Sequence, residues 1–271
     1  MKLYVNAISP FCRTVAIYLE EKSAKLETVV LATGAARALV LEISPYGEVP
    51  VLDTGRGVVV GSRLICDFAD LEYPEPPLVP SDAVARAACS QFEEVSCSTT
   101  DALQFLVHLV SARRPELAAD VPGLAERLDE AVQEHYGFLD ATLAEGPFLT
   151  ERLCRADYFS FTMVSSLVFM GRSIPPPLSA LSAWFGRVAS QPSVVRDMEH
   201  AAQSALAQAH SLDPFFRTDR IHWRSHRLEW ACRLGLSQWL SKEIEQGRAF
   251  FSPPPQGEYV RRRLASRCSR R

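Results

Sequence analysis

Residues 74–80 place four prolines in seven positions, and neither a regular helix nor a paired central strand passes through such a stretch. It divides the chain into two unlike parts. Ahead of it, short apolar runs alternate with helical patterns; behind it, nearly every segment has helical periodicity. A chain of 271 residues is expected to hold two domains at roughly 100–200 residues each, and the proline cluster is where their linker is expected.

In the first part, residues 3–8 form a short apolar run that reads as a buried strand. Ser9-Pro10 interrupts it, and residues 13–22 follow with Val15, Tyr18 and Leu19 on one helical stripe. Residues 26–31 predict a second strand and residues 35–43 a short helix. Ser44-Pro45-Tyr46-Gly47 marks a turn before a third strand over residues 49–52. A Thr54-Gly55-Arg56-Gly57 hairpin then leads to Val58, Val59 and Val60, and Ser62 is expected to cap a helix running to Leu71. The order is β-α-β-α-β-β-α, a parallel first half closed by a hairpin.

Helices are expected over residues 82–109, 123–143, 156–170, 178–189 and 194–210, with no internal repeat. Pro253-Pro254-Pro255 ends the last helical stretch. The expected division is 1–74, a linker at 75–80, a helical domain at 81–212, a helical extension at 213–256 and a disordered basic tail at 257–271.

Composition narrows the function. Hydrophobic residues make up 47% of the chain, which supports an extensive core and excludes a disordered protein. No run of about eighteen apolar residues marks a membrane span. The opening Met1-Lys2-Leu3-Tyr4-Val5 runs into polar Asn6 without the apolar centre of a secretory signal, so a reducing cytoplasm is the expected compartment. Seven cysteines, odd in number and without a CxxC pair, fit isolated thiols better than disulfides or zinc. His222 and His226 are the one i, i+4 histidine pair and read as a solvated helix face, so no metal is expected.

Four local patterns, in this order and spacing, resemble the cytosolic glutathione transferase superfamily. They are Ser9-Pro10-Phe11-Cys12-Arg13-Thr14-Val15; Ser44-Pro45-Tyr46-Gly47-Glu48-Val49-Pro50-Val51-Leu52; Gly61-Ser62-Arg63-Leu64-Ile65; and Gly146-Pro147-Phe148-Leu149 with Ala156-Asp157-Tyr158. The resemblance implies a thioredoxin-like N-terminal domain followed by an all-helical domain, here with a helical tail. It also implies a homodimer, with glutathione as co-substrate.

By that resemblance the start of the first helix holds glutathione's thiolate, since free backbone N–H groups and the helix dipole favour an anion there. Ser9 is the first choice for the stabilising hydroxyl. Cys12, in the same turn, is a second catalytic candidate through a mixed disulfide. Phe11, Glu48, Val49, Pro50, Gly61 and Ser62 form the glutathione-binding set. Val49-Pro50 is expected to be cis, exposing backbone groups to the cysteinyl unit, while Ser62 would hold the γ-glutamyl carboxylate. Gly61 stands where the family usually has Glu, Gln or Asp, Glu48 where Lys is common, and Cys154 where Ser or Thr caps the core helix.

The extension lies outside the resemblance. From Asp213 onward there are 13 Lys+Arg against 6 Asp+Glu, a net +7 on a body of net −10. Leu228, Ala231, Leu234, Trp239 and Leu240 recur at roughly helical spacing, predicting a helix folded back over the helical domain. Arg13 is a candidate to orient an anion beside the start of the first helix, and Arg224 and Arg227 are candidates to meet an acidic second substrate, in an apolar cleft between the domains whose expected walls are the helix near residues 101–110 and the extension. Neither nucleic acid nor a membrane surface is expected: the body is acidic, no stacking motif is present, and Glu229, Glu243 and Glu245 interrupt the cations. The expected activity is attack of the glutathione thiol on an electrophilic small molecule, by conjugation, ether cleavage, dehalogenation or sulfur donation. Alternatives are a non-catalytic scaffold and a Cys12-dependent thiol transferase.

Overall fold

The computed structural model describes residues 1–31, 40, 42–44, 48–209 and 221–251. Strand β1 (Lys2–Val5) pairs in parallel with β2 (Glu27–Val30) and antiparallel with β3 (Val51–Asp53). The chain turns back through Gly55 at φ 75° into β4 (Val58–Val60), giving the order β2-β1-β3-β4. This is the expected thioredoxin-like sheet. The helix expected over residues 35–43 falls mostly outside the described residues, as do Pro45, Tyr46, Gly47 and the expected disordered tail.

Helix α1 (Pro10–Glu21) begins with proline at its first position, where the missing N–H has no partner to lose. Val15, Tyr18 and Leu19 are fully buried. The helix lies between the sheet with α2 (Ser62–Glu72) on one side and α7 (Arg155–Phe169) with α9 (Pro192–Ala209) on the other. Twelve residues of α7 are buried, so this helix, apolar on most sides, is the centre of the helical domain. Asp157 secures its start, accepting from the N–H groups of Cys154 (2.8 Å) and Leu149 (3.0 Å) and from Trp184 Nε1 (2.8 Å).

A network of polar groups centred on buried Arg155 and Glu93 joins the two parts. Arg155 bonds Glu93 (2.6 and 2.9 Å), Asp67 (2.5 Å) and Asp70 (3.1 Å). Asp70 also receives Lys22 Nζ at 2.9 Å and the Tyr18 hydroxyl at 2.6 Å. The proline-rich segment is anchored as well: Lys22 Nζ donates to Pro76 O at 2.8 Å, and Arg155 N–H donates to Leu78 O at 2.8 Å.

The single helix expected over residues 82–109 has finer structure. It comprises α3 (Ala83–Val95), a π-helical turn (Ser96–Thr100), α4 (Asp101–His108) and a second π-turn (Leu109–Arg113). The Ser96 hydroxyl donates to Phe92 O at 2.8 Å, and Ser98 does the same to Glu94 O at 2.6 Å. Such back-bonding competes with the regular ladder and bends helices. After a short α5 (Leu117–Asp120) come α6 (Leu124–Leu143), α7, α8 (Ser179–Ala189) and α9.

The extension is not wholly helical. Strand β5 (Ile221–Trp223), α10 (Ser225–Arg233), α11 (Ser237–Glu245) and β6 (Ala249–Phe251) make a small crossover unit whose two strands pair in parallel. It packs on α4 as the hydrophobic spacing predicted. Trp223, 2% exposed, meets Phe105 edge-on at 5.3 Å and Trp239 at 6.2 Å. Helix α10 stops at Gly235, whose φ of 85° suits glycine, and Arg127 clamps the turn by donating to Leu234 O at 2.8 Å. Among the described residues, no helix is long and apolar enough to cross a membrane.

Candidate active site

Three segments of the thioredoxin-like part converge on one cleft of about 250 Å³: the start of α1, the approach to β3 and the start of α2. It is lined by Phe11, Glu48, Val49, Pro50, Gly61 and Ser62, joined by Arg63, Leu64, Cys97 and Arg224. The Val49–Pro50 bond is cis. Gly61 takes φ 99°, a value side-chain-bearing residues rarely adopt, and its N–H donates to Pro50 O at 3.2 Å. A carboxylate-bearing residue at that position would therefore carry backbone strain, a physical reason for glycine there. Ser62 is the first residue of α2 rather than its cap; Gly61 holds the cap position.

The turn before α1 is set by Asn6, whose side chain accepts Ile8 N–H at 3.1 Å and whose backbone O accepts Ser9 N–H at 3.0 Å. Ser9 occupies the N-cap position in extended conformation, and its side chain makes no cap bond to the helix. It is half-buried, is not among the residues that line the cleft, and hydrogen bonds Cys12. Cys12 faces the core at 1% exposure and accepts Asn6 N–H at 3.4 Å. Burial pushes its thiol up to about 12, against the lowering effect of Asn6 and Ser9. A thiol so placed stays protonated near neutrality and lies away from the cleft, which counts against the nucleophile expected from its place in the first turn.

The three candidate arginines separate. Arg13, 7% exposed, bonds Asp197 (2.9 Å) and Ser165 (3.0 Å), tying α1 to α9 and α7 rather than facing a ligand. Arg227 grips fully buried Asp101 with two bonds of 2.8 and 2.7 Å and lies over Phe105 at 4.3 Å. Only Arg224 of the three reaches the cleft. It pairs with Glu48 at 3.0 Å and stacks over Phe11 at 5.0 Å. His222 and His226 do not share a helix face: His222 lies in β5 and meets Glu48 at 3.3 Å, while His226 lies in α10 and bonds Asp101 at 2.7 Å. Burial would raise the Asp101 carboxyl, but Arg227, His226 and Arg224 outweigh it and hold it well below the usual carboxylate range.

The second-substrate wall expected along residues 101–110 is covered by the extension, whose Trp223 and Arg227 occupy Phe105. Sequence reasoning did not single out Arg63, Leu64 or Cys97. The first two follow Ser62 in the opening turn of α2, a signal that was available. Cys97 comes to the cleft through a π-turn, which leaves no trace in hydrophobic spacing. Burial pushes its thiol up to about 12 despite Arg63 nearby. No cluster of three or more metal-ligating side chains occurs among the described residues.

Comparison with known proteins agrees with this architecture. Residues 3–77 match the family described as glutathione S-transferase, N-terminal domain. A stringent starvation protein A homolog of Pasteurella multocida is 35% identical over 86 residues, covering 32% of this chain and 41% of that protein. Glutathione S-transferase omega-1 of Rattus norvegicus is 27% identical over 129 residues, 47% of this chain and 51% of the relative. The chain thus spans about half or less of the length of these relatives. A glutathione S-transferase structure from Methylobacillus flagellatus with GSH bound superposes with TM-score 0.63 at 21% identity, covering 72% of this chain and 98% of that one. The fold is that of the glutathione transferases.

Proposed function

We propose that this protein binds glutathione in the cleft and activates its thiol for attack on an electrophilic small molecule. The observation that carries this reading is the meeting of Phe11, Glu48, Val49, Pro50, Gly61 and Ser62, from three separate segments, in one open cleft. The tripeptide's cysteinyl unit lies along Val49, its γ-glutamyl carboxylate at the start of α2, and its sulfur at the start of α1. There the Ser9 hydroxyl, not engaged in capping, donates to the thiolate. Such a donor, with the helix N-terminus, lowers a thiol from its ordinary ~8.5, so more of it is ionised near pH 7. Proximity to the bound electrophile supplies the rest. The protein acts in a reducing, cytoplasmic compartment and as a homodimer; light scattering reports the latter.

Calorimetric titration with reduced glutathione tests binding, and thioether formation with an aryl halide tests chemistry. Ser9→Ala is expected to lower kcat/KM by about 100-fold, the usual loss for one donor to a developing anion, and to raise the apparent pKa of the bound thiol. Absence of binding at millimolar glutathione, or an unchanged pH profile in Ser9→Ala, overturns the reading.

The covering of α4 by the extension favours a second reading, in which the fold serves as a non-catalytic scaffold. Failure to bind glutathione together with saturable binding of a protein partner distinguishes it. A Cys12-dependent thiol transferase is disfavoured by the burial and raised pKa of that thiol.

A further inference from the structure

We infer that the C-terminal extension completes the peptide site, with Arg224 receiving the glycyl carboxylate of glutathione. The inference rests on the proposed glutathione cleft and assigns Arg224 to that ligand rather than to the electrophile.

The geometry begins at the junction of β5 and α10. Arg224 holds the N-cap position of α10 in extended conformation, φ −108° and ψ 158°. The junction is gripped on both sides. Trp223 just before it is 2% exposed, and His226 and Arg227 just after it bond the fully buried Asp101. Arg224 is therefore delivered to the cleft by anchored backbone, and Asp101 is a positioning residue for it.

The side chain is held as firmly as the backbone. Its guanidinium stacks on Phe11 at 5.0 Å, and one terminal nitrogen bonds Glu48 at 3.0 Å. A guanidinium has five N–H donors in a planar fork. The described contacts of Arg224 engage one nitrogen, and the side chain is 30% exposed. Glu48 meets the extension with both oxygens, one toward His222 and one toward Arg224. Glu48 thus acts as the anchor of the arginine, not as a ligand contact. An anionic ligand entering the cleft meets the outer edge of a cation whose far side is already paired.

Position along the ligand selects the carboxylate. With the cysteinyl unit at Val49 and the γ-glutamyl end at Ser62, the remaining terminus runs toward residue 48, where Arg224 waits. Arg63, the other cationic side chain among the described residues of the cleft, is already paired with Glu94 at 2.9 Å and Glu93 at 3.5 Å.

Titration of the wild type, Arg224→Gln and Arg224→Lys with glutathione and with its glycyl monoethyl ester tests this. A charge-assisted hydrogen bond is worth about 10- to 100-fold in affinity. Arg224→Gln is expected to weaken glutathione by that factor, Arg224→Lys to recover most of it, and the ester to bind wild type and Arg224→Gln alike. Tryptophan emission from buried Trp223 checks that the extension stays docked in each variant. Equal affinity of wild type and Arg224→Gln for glutathione overturns the inference while leaving the cleft reading intact. An equal loss for glutathione and ester overturns it too, since the effect then does not involve that carboxylate. Failure of the wild type to bind glutathione at all removes the cleft reading, and this inference with it.

Discussion

Replacing Asp101 by Asn removes the charge on which the extension is docked while leaving the side-chain shape. The carboxylate is fully buried, accepts two bonds from Arg227 at 2.8 and 2.7 Å, and meets His226 at 2.7 Å. Breaking a buried ion pair by removing one partner typically costs about 3–5 kcal/mol, because the other charge is left desolvated. Arg227 is 13% exposed and lies over Phe105, so it is not wholly abandoned, and about 3 kcal/mol is the expected loss. Urea unfolding followed by tryptophan emission measures it, and three of the four tryptophans (Trp223, Trp230 and Trp239) lie in the extension. An early transition from release of the extension is expected in the variant, and proteolysis near residues 221–251 should accelerate with it. The pH dependence supplies an independent check. The folded Asp101 carboxyl is held below its unfolded value, so its contribution is complete above the unfolded pKa near ~3.9 and disappears as pH falls through the folded value. The gap between wild type and Asp101→Asn should therefore narrow as pH drops below about 4. A variant within about 0.5 kcal/mol of wild type, the range of ordinary surface changes, or a gap that widens in acid, refutes the reasoning.

Arg155→Ala should be among the most damaging single changes, since it leaves fully buried Glu93 with the longer Arg63 pair at 3.5 Å, beside Asp67 and Asp70. A loss of about 3–5 kcal/mol is expected, read as a fall in Tm of order 10 °C, and a shift under 2 °C would show the cluster to be dispensable. Cys12 should resist alkylation at pH 8 in the native protein while exposed Cys232 reacts promptly, and mass spectrometry after graded urea should show Cys12 labelled only with unfolding. Prompt modification of Cys12 under native conditions would restore it as a candidate nucleophile.

Much of the architecture was legible because it depends on local chemistry. Pro10 starts α1, the glycine-bearing hairpin joins β3 to β4, and the alternation of strand and helix ahead of residues 74–80 leaves few topologies open. Element ends shifted by one to three residues: by one or two for β2 and α9, by three for the end of β1 and the start of α1. The π-turns at residues 96–100 and 109–113 were invisible, because serine and threonine hydroxyls that bond back to the preceding turn and distort a helix look in sequence like ordinary polar positions. The extension misled differently: its apolar spacing marked the packing face but gave no sign that β5 and β6, separated by α10 and α11, pair with each other.

The candidate site divides along the same line. Val49, Pro50, Gly61 and Ser62 could be proposed from short motifs, since turns, helix starts and prolyl geometry are properties of neighbouring residues. The assignments of Arg13, Arg224 and Arg227 could not be separated that way, because three guanidiniums are alike until their surroundings differ. Asp197 takes one, Asp101 another, and Phe11 with Glu48 directs the third into the cleft. Cys12 shows the same limit: position in a first turn argues for a reactive thiol, whereas burial, a consequence of long-range packing, holds it neutral. Charge and desolvation act through space, and residues such as Glu48 and Arg224 become neighbours only when the chain between them has folded.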